Sequence, residues 1–405
     1  VRLVPESYLD KLQSRDYDPP TYKKPQIPGF DLGLNTEKNE LVIESDTPNP
    51  CAKTFSNALM KMGYDPDHFK IEGDRLEHRS WDMAIGGGQV HTMHYVKARI
   101  VQRIAEHDIK NFIKKVRKYR KSDKPKPDGD YGLSVFIADP QVGKGEGGGV
   151  EELARRFGRL QQEVVDLVRE YRKVGKPVGH IAVAGVGDII ENCSNWYPGQ
   201  NFQIELGLTD QIDMAVEVIL ESIRLWVPLV DRFTIADTPG NHGEHRSEKG
   251  QIATDDADNF DRLVFRSLWR VMREREDLWG HIVWANPYDD MCTVYDIDGT
   301  VIGLSHGHLG GKARPANIGK RQLDFWANQK LDDRPLASAD IFVTAHYHHL
   351  LNAEHGSKFW YQCPTMDGGS KYFAENSGQR SLPGVLTLLT GPGLGRPIQR
   401  VLDIE

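Results

Sequence analysis

Five short stretches of this chain each close an apolar run on side chains able to hold a cation: Asp139 and Gln141, Asp188, Asn241 and His242, His306, then His346 and His348. Carboxylate, amide and imidazole are the donors that divalent metals take up. Two such cations roughly 3.5–4 Å apart can polarise a phosphoester and activate water, but they repel each other and need a shared carboxylate between them. Asp188 is the natural bridge. Asp139, His348 and the amide oxygen of Gln141 would complete one cation site, and Asn241, His306 and His346 the other. In the extended segment 346–348, residues two apart point to the same side, so both imidazoles can face the cations. His242, beside a ligand, is suited to donate a proton to the leaving oxygen or to orient the phosphate.

The elements that must position these groups are also legible. Residues 133–138, 181–186, 233–236, 301–305 and 341–345 are apolar runs of strand length, and ligands just past strand ends gather in the crevice of an open α/β sheet. Between the runs, Leu153, Phe157, Leu160, Val164, Leu167 and Tyr171 recur at helical spacing. Further helices run through Leu206, Ile212, Val216, Ile219 and Ile223, and through Phe260, Leu263, Leu268 and Val271. Later strands come closer together, over 281–285, 293–297, 300–305, 341–345, 359–363 and 385–389, and the Asp298-Gly299 turn predicts antiparallel pairing there.

A Pro-, Lys- and Gly-rich stretch at 121–130 reads as a linker, dividing an N-terminal extension and accessory module (1–130) from an α/β domain (131–405). Residues 1–50 are read as a surface wrap or mobile arm. A helix over 54–62 and two β-like runs flanking Gly86-Gly87-Gly88 predict a small winged α+β module.

The 405 residues, 39% hydrophobic and 27% charged, exclude general disorder. No bilayer-length apolar run and no signal-peptide core is visible, so a cytoplasmic protein is the expectation. Cys51, Cys193, Cys292 and Cys363 form no C-x-x-C pair and are read as reduced. A net charge of −7 gives no global case for nucleic-acid binding. The local case is the basic run from Lys114 to Lys126, which next to a hairpin module could contact a DNA or RNA backbone, or else be a solvated helix face. The acidic cluster Asp255-Asp256-Ala257-Asp258 is read as favouring a helix N-terminus, with no chemistry.

The ordered motifs resemble those of the calcineurin-like metallophosphoesterases: Asp-x-His, Gly-Asp-x-x-Asp/Glu, Gly-Asn-His-Asp/Glu, a lone His after a strand, and Gly-His-x-His. The resemblance covers about residues 131–365 and implies a four-layer αββα sandwich of two mixed sheets. It also implies in-line phosphoester hydrolysis at two divalent metals, manganese foremost, with iron, zinc, magnesium or nickel as alternatives. Gln141 replaces the first-motif His, as in an Asp-Pro-Gln branch, which would weaken one cation site. Gly243 is inserted before Glu244, and Ala345 stands where the last motif usually has Gly. The layout is similar to metallophosphoesterases of bacterial viruses and, in places, to repair exonucleases.

Other readings compete. Each Asp could merely cap a helix, and Gly143-Lys-Gly145-Glu-Gly-Gly148 matches a dinucleotide-binding turn, although that reading leaves the His and Asn segments unexplained. Glu191 is assigned to orienting a ligand. Glu244, His308 and His349 are assigned to the surroundings of the cations or the substrate, and Lys144 and Arg246 either to substrate phosphate or to solvent. A phosphodiesterase on nucleic acid or nucleotides is the leading function. A phosphomonoesterase and a non-catalytic binding scaffold are the alternatives.

Overall fold

The computed structural model describes residues 31–35, 40–45, 52–61, 69–86, 89–102, 114–120, 128–193, 200, 203–247, 251–255, 257–286, 290–309, 317–331, 334–369 and 382–405. They divide into two compact units, one of residues 5–105 with 193–207, the other of 106–192 with 208–405. The stretch 121–127 and the Gly87-Gly88 turn lie outside the described residues.

In the first unit, strands β1 (Asp31–Asn35), β2 (Glu40–Ser45), β3 (Phe69–Gly86) and β4 (Gln89–Gln102) form one antiparallel sheet in the order β1-β2-β4-β3, with helix α1 (Ala52–Lys61). The hairpin and helix match expectation. The reading of residues 1–50 as a wrap is corrected where 31–35 and 40–45 are concerned. Both strands are short, and the apolar run Leu41-Val42-Ile43 of β2 pairs with β4, Leu41 against Ala98 and Ile43 against Val96. Along β4, Val96, Ala98 and Ile100 are buried at the period of two that a one-faced sheet requires.

The second unit holds two mixed sheets. A six-stranded sheet runs in the order β15-β14-β5-β6-β7-β8, from β5 (Tyr131–Ile137), β6 (Val178–Gly185), β7 (Arg232–Asp237), β8 (Val283–Ala285), β14 (Gly384–Thr390) and β15 (Ile398–Asp403). Its neighbours β5, β6, β7 and β8 are parallel. A five-stranded sheet runs β12-β13-β11-β10-β9, from β9 (Cys292–Ile297), β10 (Thr300–Ser305), β11 (Ile341–Thr344), β12 (Leu351–His355) and β13 (Lys358–Gln362).

The sheets face each other through one dry cluster. Phe136, Ala182, Ala184, Ala236, Leu386 and Leu388 from the first meet Tyr295, Ile297, Ile302, Leu304, Ile341, Val343 and Tyr361 from the second. Alternation along β11 assigns the remaining layer: Ile341 and Val343 point between the sheets, while Phe342 points the other way, against Trp326 and Ile318. Helices α2 (Gly149–Lys173), α3 (Leu208–Trp226), α4 (Phe260–Arg273) and α5 (Ile318–Asn328) supply the outer layers. Helix α2 packs on β6 and α3, and α3 on α4, while the Phe265 ring of α4 lies over Gly185 of β6. The αββα sandwich is therefore present. Leu206 lies before its helix rather than in it, and α5 and β15 carry too weak a pattern to be read from sequence.

Candidate metal centre

Asp139 follows β5 by two residues, Asp188 follows β6 by three and Asn241 follows β7 by four, all at the carboxyl ends of parallel strands; His306 and His346 follow β10 and β11 in the facing sheet. The ladder continues past the strands. Asp139 N–H donates to Gly187 O at 3.3 Å, Gln141 N–H to Asp188 O at 3.1 Å and Val142 N–H to Ile189 O at 2.9 Å. In the facing sheet Ala345 N–H donates to His306 O at 2.8 Å, and across the sandwich His306 Nδ1 lies 2.8 Å from Val186 O.

Among the described residues seven that are not glycine have positive φ, and five of these are Asp139, Gln141, Asp188, His346 and His348, with φ of 48°, 45°, 49°, 73° and 58°. A left-handed backbone costs an L-residue about 1–3 kcal/mol and persists only where surrounding structure imposes it. The backbone bends sharply at each of these positions.

The side chains converge. Ligand atoms of Asp188, His306 and His346 lie within 4.8 Å of one another. His306 Nε2 is 2.9 Å from Asp188 Oδ2 and 3.9 Å from Asp139 Oδ1, and His348 Nε2 is 3.4 Å from Asp139 Oδ1. His346 N–H donates to Asp139 Oδ2 at 3.2 Å. Asp139 Oδ1 and Asn241 Oδ1 are buried with no hydrogen-bond partner. Buried polar atoms left unpaired are costly, and these two belong to the hard donor set that divalent cations bind. The residues therefore fit a metal.

His242 sits at the rim. Its backbone N–H donates to Asp188 Oδ1 at 2.7 Å, Nδ1 is 3.2 Å from Glu191 O and 3.4 Å from the Glu191 carboxylate, and Nε2 is 3.9 Å from Asp188 Oδ2. Gln141 turns its NH2 toward His242 Nε2 at 3.4 Å, and its oxygen accepts from Lys144 Nζ at 2.9 Å. Lys144 is buried rather than solvated, and its ammonium reaches Asp367 Oδ2 at 2.6 Å. Arg246 pairs with Glu244, whose other oxygen is 3.7 Å from His308 Nε2. The His308 ring lies 5.4 Å from that of His306. The backbone oxygen of His349 accepts from Gln362 Nε2 at 3.1 Å.

Electrostatics follow from burial and from charge crowding. Burial alone would raise the Asp188 carboxyl, yet His306 and His242 hold it well below the ordinary carboxylate range. Burial lowers His306, but Asp188 and Asp139 outweigh it and raise the imidazole to about 9. His242, likewise desolvated, is raised to about 10 by Asp188 and Glu191. Burial and the neighbouring His306 push His346 and His308 down to about 3, so both offer neutral nitrogens.

One positioning residue was invisible to sequence reasoning. Asp261, fully buried in the first turn of α4, accepts from Asp188 N at 2.8 Å, Ile189 N at 2.9 Å, Ile190 N at 3.3 Å and Gly240 N at 2.9 Å. Its carboxylate thus joins the second and third motif loops. Asn259 caps α4 by accepting from Asp261 N at 2.9 Å and donates to Gly240 O at 3.0 Å. The acidic cluster at 255–258 marked this helix start, while the working carboxylate lay just beyond it. Asp367 was missed as well, although 362–367 is a sixth strand end of the same kind; Thr365 Oγ1 donates to Asp139 O at 3.0 Å and accepts from Asp367 N at 2.9 Å. Gly243 is explained by Asn259: a Cβ there would stand 2.2 Å from Asn259 Oδ1.

Of the basic run, 114–120 is described. Lys115 is engaged, 2.8 Å from Glu221 and 3.3 Å from Glu217 of α3, and Tyr119 donates to Glu221. Lys114, Arg117, Lys118 and Arg120 are exposed. Cys292 and Cys363 are buried, free thiols. Among the described residues no helix is long and apolar enough to cross a membrane.

No family model matches the chain, and no curated protein matches it. Solved structures are similar to it over part of its length. They include Vps29 of Entamoeba histolytica complexed with zinc, 14% identical over 67% of this chain and 99% of that one, with a TM-score of 0.29. A conserved uncharacterized protein of Streptococcus pneumoniae described as a predicted phosphoesterase is 16% identical over 67% and 98%, TM-score 0.28. A novel archaeal phosphodiesterase is 10% identical over 67% and 99%, TM-score 0.30.

Proposed function

We propose that this chain is a divalent-metal-dependent phosphoester hydrolase of the calcineurin-like metallophosphoesterase type, acting on phosphodiester bonds of nucleic acid or nucleotides. One observation carries it: ligand atoms of Asp188, His306 and His346 lie within 4.8 Å of one another, with Asp139 and His348 in contact beside them, and the set comes from loops of both sheets.

Asp188 would bridge two cations, Asp139 and His348 serving one, Asn241, His306 and His346 the other. Bound there, the cations would neutralise phosphate oxygens and acidify water. The protein's own groups do the rest. Val186 O fixes the His306 ring with Nδ1 protonated, leaving Nε2 toward the carboxylates. His242, held by Glu191, stands at the rim, placed to orient the phosphate or to pass a proton to the leaving oxygen. Asp139, Asp188 and His306 form a buried floor, whereas the His242, His308 and His348 side chains are partly open to solvent, so substrate approaches from their side. The exposed basic side chains at 114–120 would guide a polymeric substrate.

The test is purified protein with added manganese on a bis-aryl phosphate, a mono-aryl phosphate and labelled single- and double-stranded DNA. Diester cleavage that disappears in Asp188→Asn supports the proposal; preference for the monoester replaces it with a phosphomonoesterase. Absence of turnover on every substrate despite bound metal overturns the catalytic reading.

A further inference from the structure

Gln141 occupies the position at which the first cation would expect a protein ligand, and its amide is oriented by a neighbour that can only donate. Lys144 Nζ lies 2.9 Å from Gln141 Oε1, and an ammonium has no acceptor, so the oxygen must face the lysine and the NH2 must face His242 Nε2. A cation needs the oxygen. Sharing that oxygen would bring a divalent ion within a few ångströms of an ammonium held in a buried site, where like charges repel with little screening. Asp367, 2.6 Å from Lys144 Nζ, keeps the lysine charged, and Asp367 in turn is held by Thr365, which also donates to Asp139 O.

Resting on the metal-centre reading above, we propose that the two cation subsites are unequal: the Asp188–Asn241–His306–His346 subsite binds tightly, and the Asp139–His348 subsite is weak because Lys144, anchored on Asp367, withholds the Gln141 oxygen and places a fixed positive charge beside it. Lys144 is a positioning residue here, acting through Gln141. The close grouping of Asp188, His306 and His346 agrees with one preformed subsite, and the asymmetry makes occupancy of the second depend on metal concentration or on substrate oxygens.

The experiment is a Mn2+ titration of the full chain by calorimetry, with electron paramagnetic resonance at each point. The wild type is expected to bind one ion tightly with the spectrum of an isolated ion, the second roughly 10–100-fold more weakly, the range that a misplaced supporting group costs a metal site. Gln141→His and, separately, Lys144→Gln should tighten the second ion and bring in the spin-coupled pair spectrum at lower metal, leaving the first affinity unchanged. Circular dichroism melts check that each variant folds, and the wild-type stoichiometry decides even if one does not. Two equal tight sites in the wild type, or variants that leave the second affinity where it was, overturn the proposal. No Mn2+ binding at all overturns the metal centre itself.

Discussion

His306 Nε2 lies 2.9 Å from Asp188 Oδ2 while its Nδ1 lies 2.8 Å from Val186 O, so a carbonyl that can only accept selects which nitrogen faces the carboxylates. In the metal-free protein the pair holds a proton, since Asp188 and Asp139 outweigh burial and raise His306 to about 9. A cation must displace that proton. Mn2+ affinity should therefore rise with pH until His306 is deprotonated near 9 and fall as pH drops, by roughly tenfold per unit for one linked proton. Calorimetry in buffers of differing ionisation enthalpy reads the released proton directly; pH-independent affinity across the neutral range would remove His306 from the ligand set.

Asp261→Ala should be costly without touching the metal. The carboxylate takes four backbone N–H groups of the second and third motif loops, and stranding several buried donors costs about 3 kcal/mol or more. Metal affinity should fall by roughly 10–100-fold. Asp261→Asn, which keeps an acceptor oxygen, should fall between the two. Urea unfolding and metal titration measure both effects, and an Ala variant matching wild type in each would show the loops hold themselves.

Gly240→Ala and Gly158→Ala should move in opposite directions. A Cβ at Gly240 would stand 2.2 Å from Asp188 N and Oδ1, so Asp188 must shift, at about 1–3 kcal/mol of stability and with loss of metal. Gly158, exposed on α2, has no atom within 4 Å of its would-be Cβ. Alanine there should stabilise by about 0.5–1 kcal/mol. Thermal melts of the two variants give the comparison.

Charge reversal separates guidance from structure in the basic run. Lys118→Glu with Arg120→Glu, both exposed, should leave the melt unchanged and weaken DNA binding, with a shallower salt dependence. Lys115→Glu faces Glu217 and Glu221 and should lower the melt instead. Unchanged DNA affinity in the first pair would remove a nucleic-acid role from 114–120.

The sequence by itself determined where chemistry could occur: buried strands announce themselves as apolar runs, and Asp139, Asp188, Asn241, His306 and His346 follow directly at their ends, so local pattern was enough to place them on one rim. It left β1 unread, a five-residue strand with two apolar side chains whose place is set by pairing with β2. Nor could it show Asp261, which acts by accepting backbone N–H groups and so leaves no side-chain motif. The state of Lys144 was decided only by tertiary structure, because the partner that keeps its charge buried, Asp367, is 223 residues away. Periodicity reports which face a residue takes; which charges meet there depends on how the two sheets close.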